Sequence, residues 1–174
     1  MKNNRTRALC FTALGGAFLC LCGVLSIPLP PIAISLQNLG VYTVGGLLGP
    51  VWGAVAVLLY LTLGALGLPV FSGFGGGVAV LAGPSGGFLL AFLLAAPLVG
   101  VAARAKGRAP LVCALVLATL LTYAVGSVWY ACLYAKDAAF GAVLGATVLP
   151  FLVPDAVKAA LAYLLIRRLQ GRLL

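Results

Sequence analysis

Leu47-Leu48-Gly49-Pro50-Val51-Trp52 lies inside an apolar stretch that runs from Leu39 to Phe71 without one charged side chain. A helix needs about 20 apolar residues to cross the hydrocarbon of a bilayer, so this stretch is too long for one crossing. Gly49-Pro50 divides it, because proline breaks a helix interior but suits the first turn of a new helix. The reading is a short helix over about 38–48 and a second over 50–66. Toward the N-terminus, residues 8–25 form another span, ended by the cluster Ile27-Pro28-Leu29-Pro30-Pro31. Toward the C-terminus, Gly83-Pro84 opens a helix over 84–103, residues 110–133 form the next, and Pro154 starts the last over 154–170. The stretch from Gly67 to Gly77 is too rich in glycine and proline for a regular element. The apolar piece 138–149 is read as a surface or partly inserted helix.

Composition agrees with six crossings. The chain is 64% hydrophobic and 7% charged, against about 45–50% and about 25% in an average soluble domain. One soluble core cannot hide that surplus, so the natural solvent is lipid. The first apolar run follows Lys2, Arg5 and Arg7, as a signal peptide's would, but the later spans argue against a cleaved leader. With no linker to divide it, 1–174 reads as a single integral membrane domain. The expected fold class is an all-α membrane protein, a six-transmembrane-helix bundle with re-entrant or capping outer loops. Its place is the cell (cytoplasmic) membrane, as a multi-pass protein.

The net charge of +9 is distributed as a topology signal. Excess Lys and Arg in short loops marks the cytoplasmic side. With the N-terminus inside, six spans place Lys2, Arg5, Arg7, Arg104, Lys106, Arg108, Arg167, Arg168 and Arg172 inside, nine of the eleven basic residues. Both termini are therefore expected to be cytoplasmic. The proline loop 26–37, the glycine-rich loop 67–83 and segment 134–153 face out, with Asp137, Asp155, Lys136 and Lys158. No basic stripe with interleaved aromatics exists, so nucleic acid is not an expected partner.

Outer loops and one helix start hold the candidate site. Pro154-Asp155-Ala156-Val157-Lys158 opens the sixth span. Asp155 suits a helix first turn, where unpaired N–H groups meet an anion, and Lys158 shares its face three residues on. Two readings are open: a capping aspartate with a snorkelling lysine, or a ligand site facing the bundle interior. Lysine would meet a carboxylate, and aspartate would accept from N–H donors. Gln37, at the outer mouth of the second helix, can donate and accept. Tyr60 is either a packing residue with one hydrogen bond or a ligand contact. Phe71 and Phe74 could close over an apolar ligand, on a backbone that glycines such as Gly73 and Gly83 let fold close. Phe88, just past Gly83-Pro84, completes the candidate set.

Other chemistries are poorly served. There is no histidine, and five cysteines lying within or at the ends of apolar runs behave as small hydrophobes, so no metal is expected. Two acids and four lysines leave little general acid–base machinery, so the chain is not expected to be an enzyme. Gly75-Gly76-Gly77 lacks the following Lys-Ser/Thr of a phosphate cradle, so ATP would act only through partners, and no cofactor is expected. Ala13 and Ala17 on the first helix form a small-x-x-x-small pair that could dock another membrane subunit or pack within its own bundle.

Several runs resemble one family. Gln37…Gly49-Pro50-Val51-Trp52-Gly53-Ala54, then Leu59-Tyr60-Leu61-Thr62-Leu63-Gly64-Ala65-Leu66-Gly67-Leu68-Pro69-Val70-Phe71, is similar to BioY. Gly83-Pro84-Ser85-Gly86-Gly87-Phe88 and Leu149-Pro150-Phe151…Pro154-Asp155-x-x-Lys158 continue the match over essentially the whole chain. BioY is the biotin-specific substrate-binding (S) component of energy-coupling factor (ECF) transporters. The resemblance implies capture of biotin from outside, with a transmembrane T component and two ATPase subunits driving release inward. It also implies that Asp155 and Lys158 contact biotin, and that Ala13 and Ala17 meet the T component. An S component for another carboxylate-bearing vitamin, or a structural membrane protein without a ligand, are the alternative expectations.

Overall fold

The apolar runs fold as helices in the expected order in the computed structural model, which describes residues 2–27, 32–136 and 138–173. The helices are α1 (Lys2–Val24), α2 (Gln37–Ala65), α3 (Val78–Ala82), α4 (Gly86–Ala103), α5 (Ala109–Tyr134), α6 (Phe140–Thr147) and α7 (Leu152–Leu173). The cluster at 28–31 and Asp137 lie outside the described residues, as do the side chains of 2–4 and 171–173.

α2 is two helices folded on each other. The two meet without an intervening loop at Gly49, which has φ 83° and ψ −178°, a conformation that side chains rarely adopt. The Gln37 amide donates to the Tyr60 hydroxyl although 23 residues separate them, about 35 Å along a straight helix. The arms 37–48 and 50–65 are therefore a hairpin turning at Gly49-Pro50. They touch through backbone: a Cβ at Gly53 would lie 2.8 Å from the Gly45 Cα. Gly100 of α4 closes on the same corner, where a Cβ would lie 2.6 Å from the Gly49 carbonyl carbon. The first arm rises only about 18 Å, too short to cross alone, and its neighbours bury it from Gly40 to Gly46.

Two local features differ from the sequence reading. Ser26–Ile27 pairs antiparallel with Ile34–Ser35, a two-stranded ribbon within the expected proline loop. Ile27 precedes a proline, which disfavours helix and favours extended backbone. The glycine-rich loop contains α3, because Val78-Ala79-Val80-Leu81-Ala82 is a short apolar run free of glycine and proline. Elsewhere in that loop, Phe71 and Gly75 bridge around a 3-10 turn at Ser72–Phe74.

α2 is the hub, packing on α4, α1 and α7, while α4 packs on α5 and α7 touches α5 much less. Leu19, Val41, Tyr42, Val57, Tyr60, Leu89, Phe92, Val99, Leu111 and Ile166 lie in the shared core. The outward faces are apolar too: Leu14, Leu21, Val51 and Val101 are each more than 60% exposed. In water such a belt would aggregate, and in lipid it matches its solvent. Among the described residues, five helical segments are long and apolar enough to cross a bilayer: Arg5–Val24, Gln37–Ala65, Gly86–Ala103, Ala109–Tyr134 and Phe140–Gln170. The hairpin in the second makes a six-helix bundle.

Most of the basic residues gather at the hairpin-corner end. Arg104 lies against Gly49, Arg167 donates to the Gly107 carbonyl, and Gln170 donates to the Ala103 carbonyl at 2.8 Å. Gly15 of α1 faces Leu48 and Gly23 faces Val70 and Tyr60, so Arg5 and Arg7 point to the same end. Asp155 and Lys158 occupy the opposite half.

Candidate binding site

α7 starts at Leu152, and Pro154 fits its first turn because the N–H groups there have no helical partner. That start places Asp155 beside the ribbon and the glycine-rich loop, 2% exposed, with Lys158 at 6%. Lys158 Nζ donates to Asp155 Oδ1 at 2.8 Å. Asp155 Oδ2 accepts from Asn38 Nδ2 at 2.9 Å and from the Tyr123 hydroxyl at 2.8 Å. Burying an ion pair is costly unless further hydrogen bonds satisfy it, and these two donors supply them. One carboxylate thus ties together α7, the first arm of α2, and α5. Lys158 spends one of its three N–H donors on Asp155, which leaves others for a ligand.

Over the pair lies a cavity of about 160 Å³. Ser35 lines it from the ribbon, Gln37 and Asn38 from the start of α2, Phe71 and Ser72 from the loop, and Val80 from α3. Ser85, Phe88 and Phe92 contribute from α4, Tyr123 from α5, and Thr147 and Phe151 from the run into α7. Ile32, Tyr123 and Phe151 form a small apolar cluster with Ile34, Phe88 and Val148, joining ribbon, α5 and the α7 approach above the carboxylate. Aromatic walls around a few converging polar groups are the usual makeup of a small-molecule site.

The expected residues divide into three groups. Gln37, Phe71, Phe88, Asp155 and Lys158 line the cavity. Tyr60 and Gly83 stand behind the wall. Tyr60 receives the Gln37 amide, donates to the Val70 carbonyl at 3.2 Å, and packs edge-on against Phe71 with ring centres 5.4 Å apart. The Gly83 carbonyl accepts from Trp129 Nε1 at 3.0 Å, next to the lining residues Pro84 and Ser85. Gly73 and Phe74 lie on the outward turn. The Gly73 N–H donates to Ser26 Oγ at 2.8 Å, and Phe74 has φ 59° and is 69% exposed. Ala13 and Ala17 are exposed on α1, whereas Thr12, Gly15, Gly16 and Leu19 turn inward. The pair faces out of its own bundle.

The sequence reading missed Asn38, Tyr123, Phe92 and Phe151. Asn38 carried a signal, a second amide beside Gln37 at the head of an apolar run. Tyr123 and Phe92 carried none, because nothing local says which face of an all-apolar helix turns inward.

An apolar six-helix bundle with a buried, hydrogen-bonded ion pair under an aromatic-walled cavity defines a membrane-embedded binding protein for a small organic solute. A family model described as the BioY family matches residues 1–174, and the chain belongs to that family. It is 41% identical over 147 residues to a probable biotin transporter BioY of Pyrococcus horikoshii, covering 84% of this chain and 86% of that one. It is 38% identical over 147 residues to the biotin transporter BioY of Thermotoga maritima, covering 84% and 85%. The crystal structure of an S-component for biotin from an ECF-type ABC transporter superposes with a TM-score of 0.89 at 31% identity, covering 99% of this chain and 95% of that one.

Proposed function

We propose that the chain captures biotin from outside the cell and delivers it across the membrane as the S component of an ECF-type transporter. The observation that carries this reading is the Asp155–Lys158 pair, buried under the cavity in a chain of the BioY family. The cavity opens to the exterior and the basic end is cytoplasmic, a reading supported by the gathering of Arg5, Arg7, Arg104, Lys106, Arg108, Arg167 and Arg168 at the opposite end. Energy comes from a T component and two ATPase subunits, since the chain carries no nucleotide-binding motif of its own. Ala13 and Ala17, small and outward-facing, suit close approach of a partner helix.

The pair meets one end of biotin. Nζ and Oδ1 are 2.8 Å apart, so they cannot reach both the ureido ring and the carboxylate of an extended ligand. This reading departs from a division of the two ligand ends between Lys158 and Asp155, which the residue types alone leave open. The ureido group matches the pair better: its oxygen accepts from Lys158 while its N–H donates to Asp155. A carboxylate there would lie beside the Asp155 anion.

Calorimetry of biotin binding to the purified chain tests both statements. The chain is expected to bind biotin tightly, Asp155→Asn and Lys158→Ala to weaken binding by about a hundredfold, and biotin methyl ester to retain most of the affinity. No binding by a folded sample would overturn the function. Loss of the ester alone would turn the ligand around.

A further inference from the structure

Asp155 Oδ2 makes no bond to Lys158; it is held by Asn38 from α2 and Tyr123 from α5. A carboxylate with one oxygen anchored twice cannot rotate freely, so its other oxygen stays on Lys158 Nζ, beside the cavity that both residues line. Both anchors come from other helices, at sequence separations of 117 and 32 residues. Both bond the Asp155 side chain and not a backbone N–H of the first turn of α7. Neutral donors also suit this place: a cation beside Oδ2 would compete with Lys158 for the same charge, whereas an amide and a phenol orient the anion without drawing it away.

We propose that Asn38 and Tyr123 are positioning residues that hold Asp155 in its ligand-accepting orientation, so that the site is built before biotin arrives. The proposal rests on the reading of the chain as a biotin-binding component and adds two specificity-determining side chains to it. Preorganisation matters because a ligand that must first order its site loses part of its binding free energy in doing so. Both residues also border the cavity, and a double-mutant cycle separates positioning from direct contact.

Biotin affinity would be measured for the parent, Tyr123→Phe, Asn38→Ser, Asp155→Asn, and each of the first two combined with Asp155→Asn. Tyr123→Phe removes only a hydroxyl, and Asn38→Ser shortens the donor beyond reach of Oδ2. Each is expected to weaken biotin binding by about tenfold, the scale of one hydrogen bond to a charged group. In the Asp155→Asn background, where the charged acceptor is gone, the same changes should cost about twofold or less. Unchanged affinity in the single variants would overturn the proposal. Equal losses in both backgrounds would also overturn it, by making the two residues direct ligand contacts. A folded parent that does not bind biotin would overturn the functional reading itself, an outcome visible before any variant is compared. Should one single variant fail to fold, the other carries the cycle.

Discussion

Lys158 shows how far one side chain's role depends on its neighbours. A lysine near a membrane interface can snorkel to water at little cost, but this one is 6% exposed and turned to a carboxylate. Removing one partner of a buried pair strands the other charge, so Lys158→Met is expected to lower stability in detergent by about 3 kcal/mol. Replacing both, as Asp155→Leu with Lys158→Met, should recover much of that loss while leaving biotin unbound, because an apolar substitute for a buried pair is close to neutral. Thermal unfolding of the two variants checks this; equal stability of the single variant and the parent would show a well-solvated pair. Tyr60 acts at the same scale but one layer back. Tyr60→Phe leaves the Gln37 amide and the Val70 carbonyl without their hydroxyl. The expected cost is about 1–2 kcal/mol of stability with a severalfold loss of biotin affinity, as Gln37 loses its anchor.

The α2 hairpin is the element on which the site depends, since it brings Gln37 and Asn38 back beside Tyr60 and under α4. Its corner needs a residue free to adopt positive φ with no side chain in the way of Arg104, and Gly49 meets both needs. Gly49→Ala is expected to cost at least about 2 kcal/mol, from the strained backbone and the displaced guanidinium together. Gly53→Leu should be as damaging for a different reason, because it forces apart two backbones already in contact. Detergent melting temperatures give the comparison, and a Gly53→Leu variant as stable as the parent would contradict the hairpin packing. The corner was legible beforehand because glycine and proline act locally, within a residue or two. α3 and the short ribbon were not, because each is held by what it lies against: the Ala82 carbonyl ending α3 accepts from the Tyr134 hydroxyl, the Gly83 carbonyl after it accepts from Trp129 Nε1, and Ser26 Oγ of the ribbon accepts from the Gly73 N–H.

Across the whole molecule, charge is sorted end to end. Single cysteines placed at Ser72 and Lys106, in a background without native cysteines, would report the orientation. Ser72→Cys is expected to react with a membrane-impermeant maleimide on intact cells, and Lys106→Cys only after permeabilisation; the reverse pattern would invert the topology. Ligand binding should also stabilise the entire bundle, because the site joins α2, α4, α5 and α7. At a biotin concentration of a hundred times Kd, the gain is about 2.7 kcal/mol of unfolding free energy. A melting temperature unmoved by biotin would speak against a site built across these helices.

What the sequence determined by itself was everything set by composition and short-range chemistry: the lipid solvent, the helical runs, the turn at Gly49-Pro50, and the placing of Asp155 and Lys158 on one helical face. Hydrophobicity, proline and a spacing of three residues act within a few positions, and all are visible in one chain. Only the tertiary structure decided which faces meet. It brought Asn38 and Tyr123 to the same carboxylate oxygen, put Tyr60 behind Gln37, and turned Phe74 outward. In a helix that is apolar all round, hydropathy carries no inward or outward label, so those choices are made by side-chain packing between segments distant in sequence.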